Sequence, residues 1–168
     1  NDTYADANND VDSPLKSFAA TLDYPAIVKP DQPIPVTGYA QAGISSVSKV
    51  QFFIQNNEQK LASGDKYFTQ APWKDAAILP PPAEWGGGLP EGKIPTGTLG
   101  FDETGRPKTW PLRLAKVHWA ALLPGMPEGK YTLRCRTIDE KGHAQPMPRP
   151  FRKDGHAAIE QVTIDVKA

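Results

Sequence analysis

Residues 117–148 read VHWAALLPGMPEGKYTLRCRTIDEKGHAQPMP and alternate between apolar and polar side chains in two runs that turn residues separate. In the first run, Val117, Trp119 and Ala121 occupy every second position. A period of two is that of a β-strand with one buried face. The prolines and glycines of residues 124–129 then end the run, so we expect a strand followed by a tight connection.

The second run, from Lys130 to Ile138, predicts another half-buried strand. Tyr131, Leu133 and Cys135 share one face of it, and polar side chains occupy the other face. Residues 139–142 are turn formers and end the strand. A tyrosine that opens a strand directly after a glycine turn is typical of the tyrosine corner of immunoglobulin-like sandwiches. The two runs together therefore predict a β-sandwich.

The rest of the chain carries similar signals and shows no helix of normal length. Residues 18–28 predict an edge strand or an extended lead-in, because Pro25 interrupts the run. Alternating apolar side chains predict three more strands: residues 34–40, residues 46–55 with Val50, Phe52 and Ile54 on one face, and residues 160–166 with Val162, Ile164 and Val166 on one face. The predicted fold is all-β, an immunoglobulin-like antiparallel β-sandwich.

Residues 61–109 are too rich in proline and glycine for regular elements and predict a long insertion in this sandwich. Gly86–Gly88 lack the following lysine, serine or threonine of a phosphate loop and are interpreted as a flexible hinge. Large aromatic residues in and next to the insertion predict a carbohydrate platform, a subunit contact, or packing onto the sandwich itself. These candidates are Trp73, Trp85, Phe101 and Trp110.

The composition excludes several classes of partner. The 19 basic and 19 acidic side chains cancel, so no overall field attracts nucleic acid or an anionic membrane surface. No apolar run is long enough to span a bilayer.

The 18 prolines and 14 glycines favour short strands joined by long turns. The single cysteine, Cys135, excludes an internal disulfide and is predicted to be a core thiol.

No pattern of residues predicts catalysis or a metal site. The three histidines lack the close spacing of a zinc motif, and no serine lies in a nucleophile elbow. These histidines are His118, His143 and His156.

A basic cluster of Arg149, Arg152 and Lys153 precedes the final strand and could hold an anion by charge-assisted hydrogen bonds. The alternative interpretation of this cluster is a solvated basic turn.

The start of the chain indicates a piece of a longer protein. Residues 1–14 form a polar tail or linker that cannot bury enough apolar area to order itself. The first residue is Asn1 rather than methionine. We therefore expect residues 15–168 to be one domain, including the insertion, cut from a larger chain.

Four segments together resemble the carboxy-terminal domain of the sulfite oxidase family, the molybdenum-cofactor oxidoreductase dimerisation domain. They are GYAQAG at 38–43, VSKVQF at 47–52, HWAALLPGMPEGKYTLRCRTIDEKGHAQP at 118–146 and VTIDV at 162–166. The resemblance implies an immunoglobulin-like sandwich of the early-set kind that pairs two subunits into a homodimer. It also implies a preceding domain of the same protein that holds molybdopterin and molybdenum, so that this chain itself binds no cofactor.

The same resemblance has implications for one site and for localisation. In the family, an arginine before the last strand reaches toward an oxyanion pocket. An ungapped match puts Asp154 at that position, and the adjacent Arg152 and Lys153 are then the possible anion contacts. Bacterial members are commonly exported, so the resemblance implies a periplasmic or secreted protein.

The sequence thus favours the dimerisation domain of a sulfite oxidase-like oxidoreductase, without catalysis of its own. The alternative is a secreted sandwich module that binds carbohydrate or protein through the aromatic insertion. A third possibility is a cofactor-free descendant that keeps the fold and a scaffolding role.

Overall fold

The computed structural model describes residues 19–43, 45–60, 64–65, 67–83, 89–145 and 159–168. Within these residues, nine β-strands and one short 3-10 helix, Pro90–Gly92, make up the regular structure. The strands are β1 (Ala19–Ala20), β2 (Ile27–Val28), β3 (Ile34–Gln41), β4 (Val47–Asn56), β5 (Lys74–Asp75), β6 (Ala77–Ile78), β7 (Val117–Leu123), β8 (Gly129–Asp139) and β9 (Glu160–Val166).

The strands form two sheets that pack face to face. One sheet is four-stranded, in the order β1-β3-β7-β6, and the other is five-stranded, in the order β2-β9-β8-β4-β5. Neighbouring strands run antiparallel except β2 and β9, which pair in parallel. Among the described residues, a cluster of buried apolar side chains lies between the sheets. The predicted all-β sandwich is therefore confirmed.

The core forms because the period-two alternation turns one side of each strand inward. On β3, buried residues alternate with the exposed Pro35, Thr37 and Tyr39. On β8, Leu133 and Cys135 are fully buried. The largest fully buried side chains of both sheets are Trp119, Ile34, Leu123, Leu133 and Ile164. Removing this apolar surface from water is the main favourable term in folding.

The strands predicted from alternation occur where the pattern placed them. The predicted last strand coincides with β9, and the lead-in supplies the edge strands β1 and β2. The expectation that residues 61–109 lack regular elements is wrong. Two-residue strands in this stretch extend both sheets, β5 beside β4 and β6 beside β7. Such short strands are held by backbone pairing with a sheet edge, which leaves no side-chain pattern to read.

Side chains that bond to the backbone hold both ends of β8. Tyr131 Oη donates to the carbonyl of Pro127 at 3.1 Å. Asp139 is 1% exposed, and its carboxylate accepts hydrogen bonds from Ser45 Oγ and from the backbone N–H of His143, both at 2.8 Å. A buried carboxylate needs such donors, so this aspartate keeps the turn after β8 closed.

Candidate functional site

The described tryptophans among the candidates lie against different sheets. Trp73 packs edge-on against Phe53 of the five-stranded sheet, with ring centres 4.6 Å apart, and its indole N–H donates to the carbonyl of Phe68 at 2.7 Å. Trp110 packs against the core, and its indole N–H donates at 2.9 Å to the carbonyl of Leu79, which follows β6. Both indole N–H groups are thus used within the chain, and the two rings form no common platform.

Of the other aromatic candidates, the structure describes Phe101. Phe101 is partly buried and forms an isolated backbone bridge with Pro107 in a short loop. Several residues singled out from the sequence lie outside the described residues: Trp85, Gly86–Gly88, Arg149, Arg152, Lys153, Asp154 and His156. The predicted anion contact therefore stays a prediction.

The outer side of the five-stranded sheet carries a cluster that we call the arginine–aromatic face: Phe53, Phe68, Trp73, Arg134 and Arg136. The two arginines are two residues apart on β8 and therefore point to the same side. The Arg134 guanidinium lies 4.6 Å from the ring centre of Phe68 and 5.4 Å from that of Phe53. The Arg136 guanidinium lies 4.2 Å from the ring centre of Trp73. These are the distances of cation–π contacts.

Glutamine side chains hold the two guanidiniums in place. Arg134 Nε donates to Gln161 Oε1 at 3.1 Å, and its Nη1 donates to Gln55 Oε1 at 2.9 Å. Arg136 donates to Gln51 Oε1 from Nε at 3.0 Å and from Nη2 at 2.7 Å. All three acceptors are neutral, so the head groups are positioned without any charge being neutralised.

Within the part of the chain that the structure describes, the charges of the two arginines are unpaired. Burial lowers the pKa of Arg134 and of Arg136, because a half-buried guanidinium loses part of its hydration. Both remain charged at neutral pH, since arginine normally titrates above pH 12. Among the described residues no carboxylate forms an ion pair with either of them. The carboxylate of Asp75 contacts Lys49 Nζ at 3.2 Å instead.

The outer side of the four-stranded sheet has the opposite character. We call it the apolar face: Pro35, Thr37 and Tyr39 of β3, Ala77 of β6, and His118, Ala120 and Leu122 of β7. The strand register puts Pro35 opposite Leu122 and Tyr39 opposite His118. Leu122 is 68% exposed and Tyr39 is 40% exposed. The face contains no acidic residue, lysine or arginine; Lys116 lies at its rim, with Nζ 4.9 Å from the centre of the Tyr39 ring.

An open groove of about 460 Å³ continues the apolar face toward the edge of the core. Its lining includes Phe52, Ala76, Ala121 and most of the apolar face. Asp75 is the charged residue of the lining. A groove with so few polar groups suits apolar side chains better than a polar small molecule, because little in it can orient a polar ligand.

The reactive side chains of the core have structural roles. Ser45, Asp139 and His143 lie together, but Ser45 donates to the carboxylate and is 4% exposed, so a substrate cannot reach its hydroxyl. Cys135 is a core thiol as predicted, and burial raises its pKa, so the reactive thiolate is not formed at neutral pH. In the described part of the chain, no cluster of His, Cys, Asp or Glu is arranged to hold a metal ion. No described helix is long and apolar enough to cross a membrane.

The arginine–aromatic face could not be predicted from the sequence pattern. Alternation puts Arg134 and Arg136 on the polar side of β8, but their partners Phe68 and Gln161 lie far away in the chain. One feature of the sequence indicates this face: Phe53 is a large apolar residue on the side of β4 opposite the core. Phe53 is 2% exposed because Phe68 and Trp73 cover it.

Known proteins of similar sequence or structure give little information about this chain. No family model matches the chain, and no curated protein matches it. Among solved structures, a cycloalternan-degrading enzyme from Trueperella pyogenes in complex with a covalent intermediate aligns with a TM-score of 0.36 and 11% sequence identity. The alignment covers 71% of this chain and 13% of that enzyme, so this chain spans a small part of its length. A likeness at this level gives no information about function.

Proposed function

We propose that this chain is a non-catalytic β-sandwich domain that pairs with a second copy of itself, as the carboxy-terminal dimerisation domain of the sulfite oxidase family does. In this proposal the chain belongs to an exported oxidoreductase, and a preceding domain of that protein holds molybdopterin. The observation that carries the pairing is the apolar face, which is the proposed interface.

The apolar face has the composition of the centre of a protein–protein interface. Such centres are depleted of charged residues and enriched in aromatic ones. Leu122 and Tyr39 expose apolar surface that a partner would remove from water. A two-fold axis across the face would pair it with the same face of a second copy, as in most homodimers.

The size of the face indicates how strong the pairing is. A standard interface buries about 800 Å² on each partner. Three strands spaced about 4.8 Å apart give the seven side chains an area on the order of 300 Å². Residues around the face must therefore contribute, and Leu79, which is 39% exposed, lies next to His118 through a backbone hydrogen bond. We expect the isolated domain to dimerise weakly, with a dissociation constant in the micromolar range.

The order of the strands supports the immunoglobulin-like part of the proposal. If β1, β3, β6 and β7 are taken as strands A, B, D and E, the four-stranded sheet has the order A-B-E-D. Strands β4, β8 and β9 then take the places of C, F and G in the other sheet. This is the arrangement of immunoglobulin-like sandwiches. The hydrogen bond from Tyr131 Oη to the carbonyl of Pro127 also supports an immunoglobulin-like fold.

Sedimentation equilibrium over a wide concentration range tests the pairing. We expect the unmodified chain to form dimers and Leu122→Arg to stay monomeric, because the substitution puts a charge into the centre of the interface. Leu99→Arg is the matched control, since Leu99 is 95% exposed and lies outside the apolar face. A chain that is monomeric at every concentration, or a Leu122→Arg variant that dimerises as well as the Leu99→Arg variant, would refute this interface.

The native protein, purified from its source, tests whether the domain belongs to a molybdenum-containing oxidoreductase. An immunoblot gives the mass of the native chain, and elemental mass spectrometry of the same purified material gives its molybdenum content. The proposal requires a chain several tens of kilodaltons larger than this domain, with bound molybdenum. A native chain near 18.3 kDa without molybdenum would exclude the parent oxidoreductase.

The alternative of a carbohydrate-binding module has less support. Trp73 and Trp110 use their indole N–H groups on the backbone of the chain and lie against different sheets. These two rings therefore form no shared platform for a sugar, and Trp85 is the candidate that this alternative tests. Titration with a panel of glycans, repeated with Trp85→Ala, separates this alternative from the dimerisation domain.

A further inference from the structure

The arginine–aromatic face holds two positive charges that the described residues do not neutralise. A guanidinium has five N–H groups. Arg134 and Arg136 each use two of them, and all four go to neutral glutamine oxygens. Three N–H groups of each arginine therefore remain without a partner among the described residues.

This arrangement differs from that of an ordinary solvated arginine. Burial removes part of the hydration of both head groups, and proteins usually offset that loss with a carboxylate. Here Gln51, Gln55 and Gln161 fix the head groups, and Phe68 and Trp73 stack on them. The Cα atoms of Arg134 and Arg136 are about 7 Å apart along β8. The two cations are thus held in a fixed geometry, and no described carboxylate pairs with them.

We propose that the arginine–aromatic face is a binding site for an oxyanion of the carboxylate or phosphate type. A planar guanidinium binds both groups by charge-assisted hydrogen bonds, two at a time. Gln51 Oε1 occupies the Nε and Nη2 edge of Arg136, which leaves the opposite edge of that head group to the ligand. Gln51 is itself oriented, because its Nε2 donates to Asp75 Oδ1 at 2.8 Å and so turns Oε1 toward the arginine.

The oxyanion can come from two sources, free in solution or as side chains of a polypeptide. Acidic residues at alternate positions of an extended segment are also about 7 Å apart, which matches the spacing of the two arginines. A free phosphate has no such second group. The two sources are therefore represented by two probes: inorganic phosphate, and a blocked pentapeptide with glutamates at its second and fourth positions.

Titration of the full chain followed by the arginine Nε–Hε signals in nuclear magnetic resonance tests the proposal. Ionic strength is held constant with sodium chloride, because added salt screens the interactions between exposed charges. We expect saturable shifts of the Arg134 and Arg136 signals with at least one probe and none with chloride alone. Tighter binding of the peptide assigns the site to a polypeptide, and tighter binding of phosphate assigns it to a free anion. Absence of saturable shifts with both probes would overturn the site.

Substitutions distinguish the site from general attraction between opposite charges. We expect Arg136→Gln to weaken binding about tenfold, the value of one charge-assisted hydrogen bond. Lys130→Gln is the matched control, since it removes one positive charge from the same side of β8, and we expect an effect under about twofold. Equal weakening by both would contradict the proposal. If Arg136→Gln does not fold, the titration of the unmodified chain still decides.

This site is independent of the proposed pairing. The arginine–aromatic face belongs to the five-stranded sheet, and the apolar face belongs to the four-stranded sheet. We expect Leu122→Arg to leave anion binding unchanged. Failure of one proposal can therefore be told from failure of the other.

Discussion

Gly38 lies on β3 at a point where packing leaves no room for a side chain. A Cβ atom there would overlap the carbonyl of Thr21 and approach Cε2 of Trp119 to 2.8 Å. Neither neighbour can move easily. The backbone N–H of Thr21 donates to the carbonyl of Tyr39 at 2.9 Å, and Trp119 is fully buried. Glycine is required here by the close approach of the lead-in strand and an indole ring.

We predict that Gly38→Ala lowers the free energy of unfolding by about 2–4 kcal/mol, because overpacking a rigid site forces the backbone to shift. Urea denaturation measures the change. Gly97→Ala is the control: a Cβ atom at Gly97 meets nothing within 4 Å, and only the positive φ of 82° opposes it. We expect that control to cost about 1–2 kcal/mol. A smaller loss in Gly38→Ala than in Gly97→Ala would show that a Cβ atom at Gly38 does not clash with Thr21 and Trp119.

The loops between the strands are held by aspartates that accept hydrogen bonds from the backbone. Asp102 Oδ1 accepts from the backbone N–H of Arg106 at 2.9 Å and from the N–H and Oγ1 of Thr104 at 2.9 and 2.7 Å. The hydrogen bond from Arg106, followed by that from Thr104, lowers the pKa of Asp102. A carboxylate that accepts hydrogen bonds from nearby backbone groups orders a loop that has few buried side chains.

We predict that the turn at residues 102–106 loses its hydrogen bonds in acid before the sandwich unfolds. The folded pKa of Asp102 lies below its unfolded value near 4, so the stabilisation is complete above that pH. It is lost as the pH falls through the folded pKa. Amide hydrogen exchange of Thr104 and Arg106 between pH 2 and 6 measures the effect. Asp102→Asn keeps the acceptor oxygen and removes the titration, so its exchange should lack this transition.

The whole molecule presents two outer surfaces of different chemistry. The four-stranded sheet turns the uncharged apolar face outward, and the five-stranded sheet turns Arg134 and Arg136 outward. Apolar surface favours association by the hydrophobic effect, which depends little on salt. Unpaired guanidiniums favour anions, and that attraction is screened by salt. The two sides of the sandwich therefore suit two different partners.

We predict that the melting temperature of the chain rises with protein concentration. Dimerisation stabilises the folded state by mass action, because the unfolded chain does not pair. Differential scanning calorimetry at several concentrations measures the shift. Leu122→Arg should melt at one temperature regardless of concentration, and Leu99→Arg should behave like the unmodified chain. Added sodium chloride should leave the concentration dependence nearly unchanged.

The positions of the long strands and of most core residues follow from the sequence. Val117, Trp119, Leu133 and Ile164 are buried where the period of two puts them, because the direction of a side chain on a strand is a local property. The core thiol of Cys135 is predicted on the same ground. Neighbouring residues suffice for such inferences.

The tertiary structure is needed for everything that depends on neighbours distant in the chain. Pairing of β5 and β6 with the sheet edges joins backbone groups and requires no particular side chains. The burial of Phe53 depends on a loop, and the fixed position of Arg134 depends on Gln55 and Gln161, which lie 79 and 27 residues away in the chain. Both candidate surfaces are of this kind. A surface is made by residues that different strands bring together, so its chemistry emerges once the order and register of the strands are known.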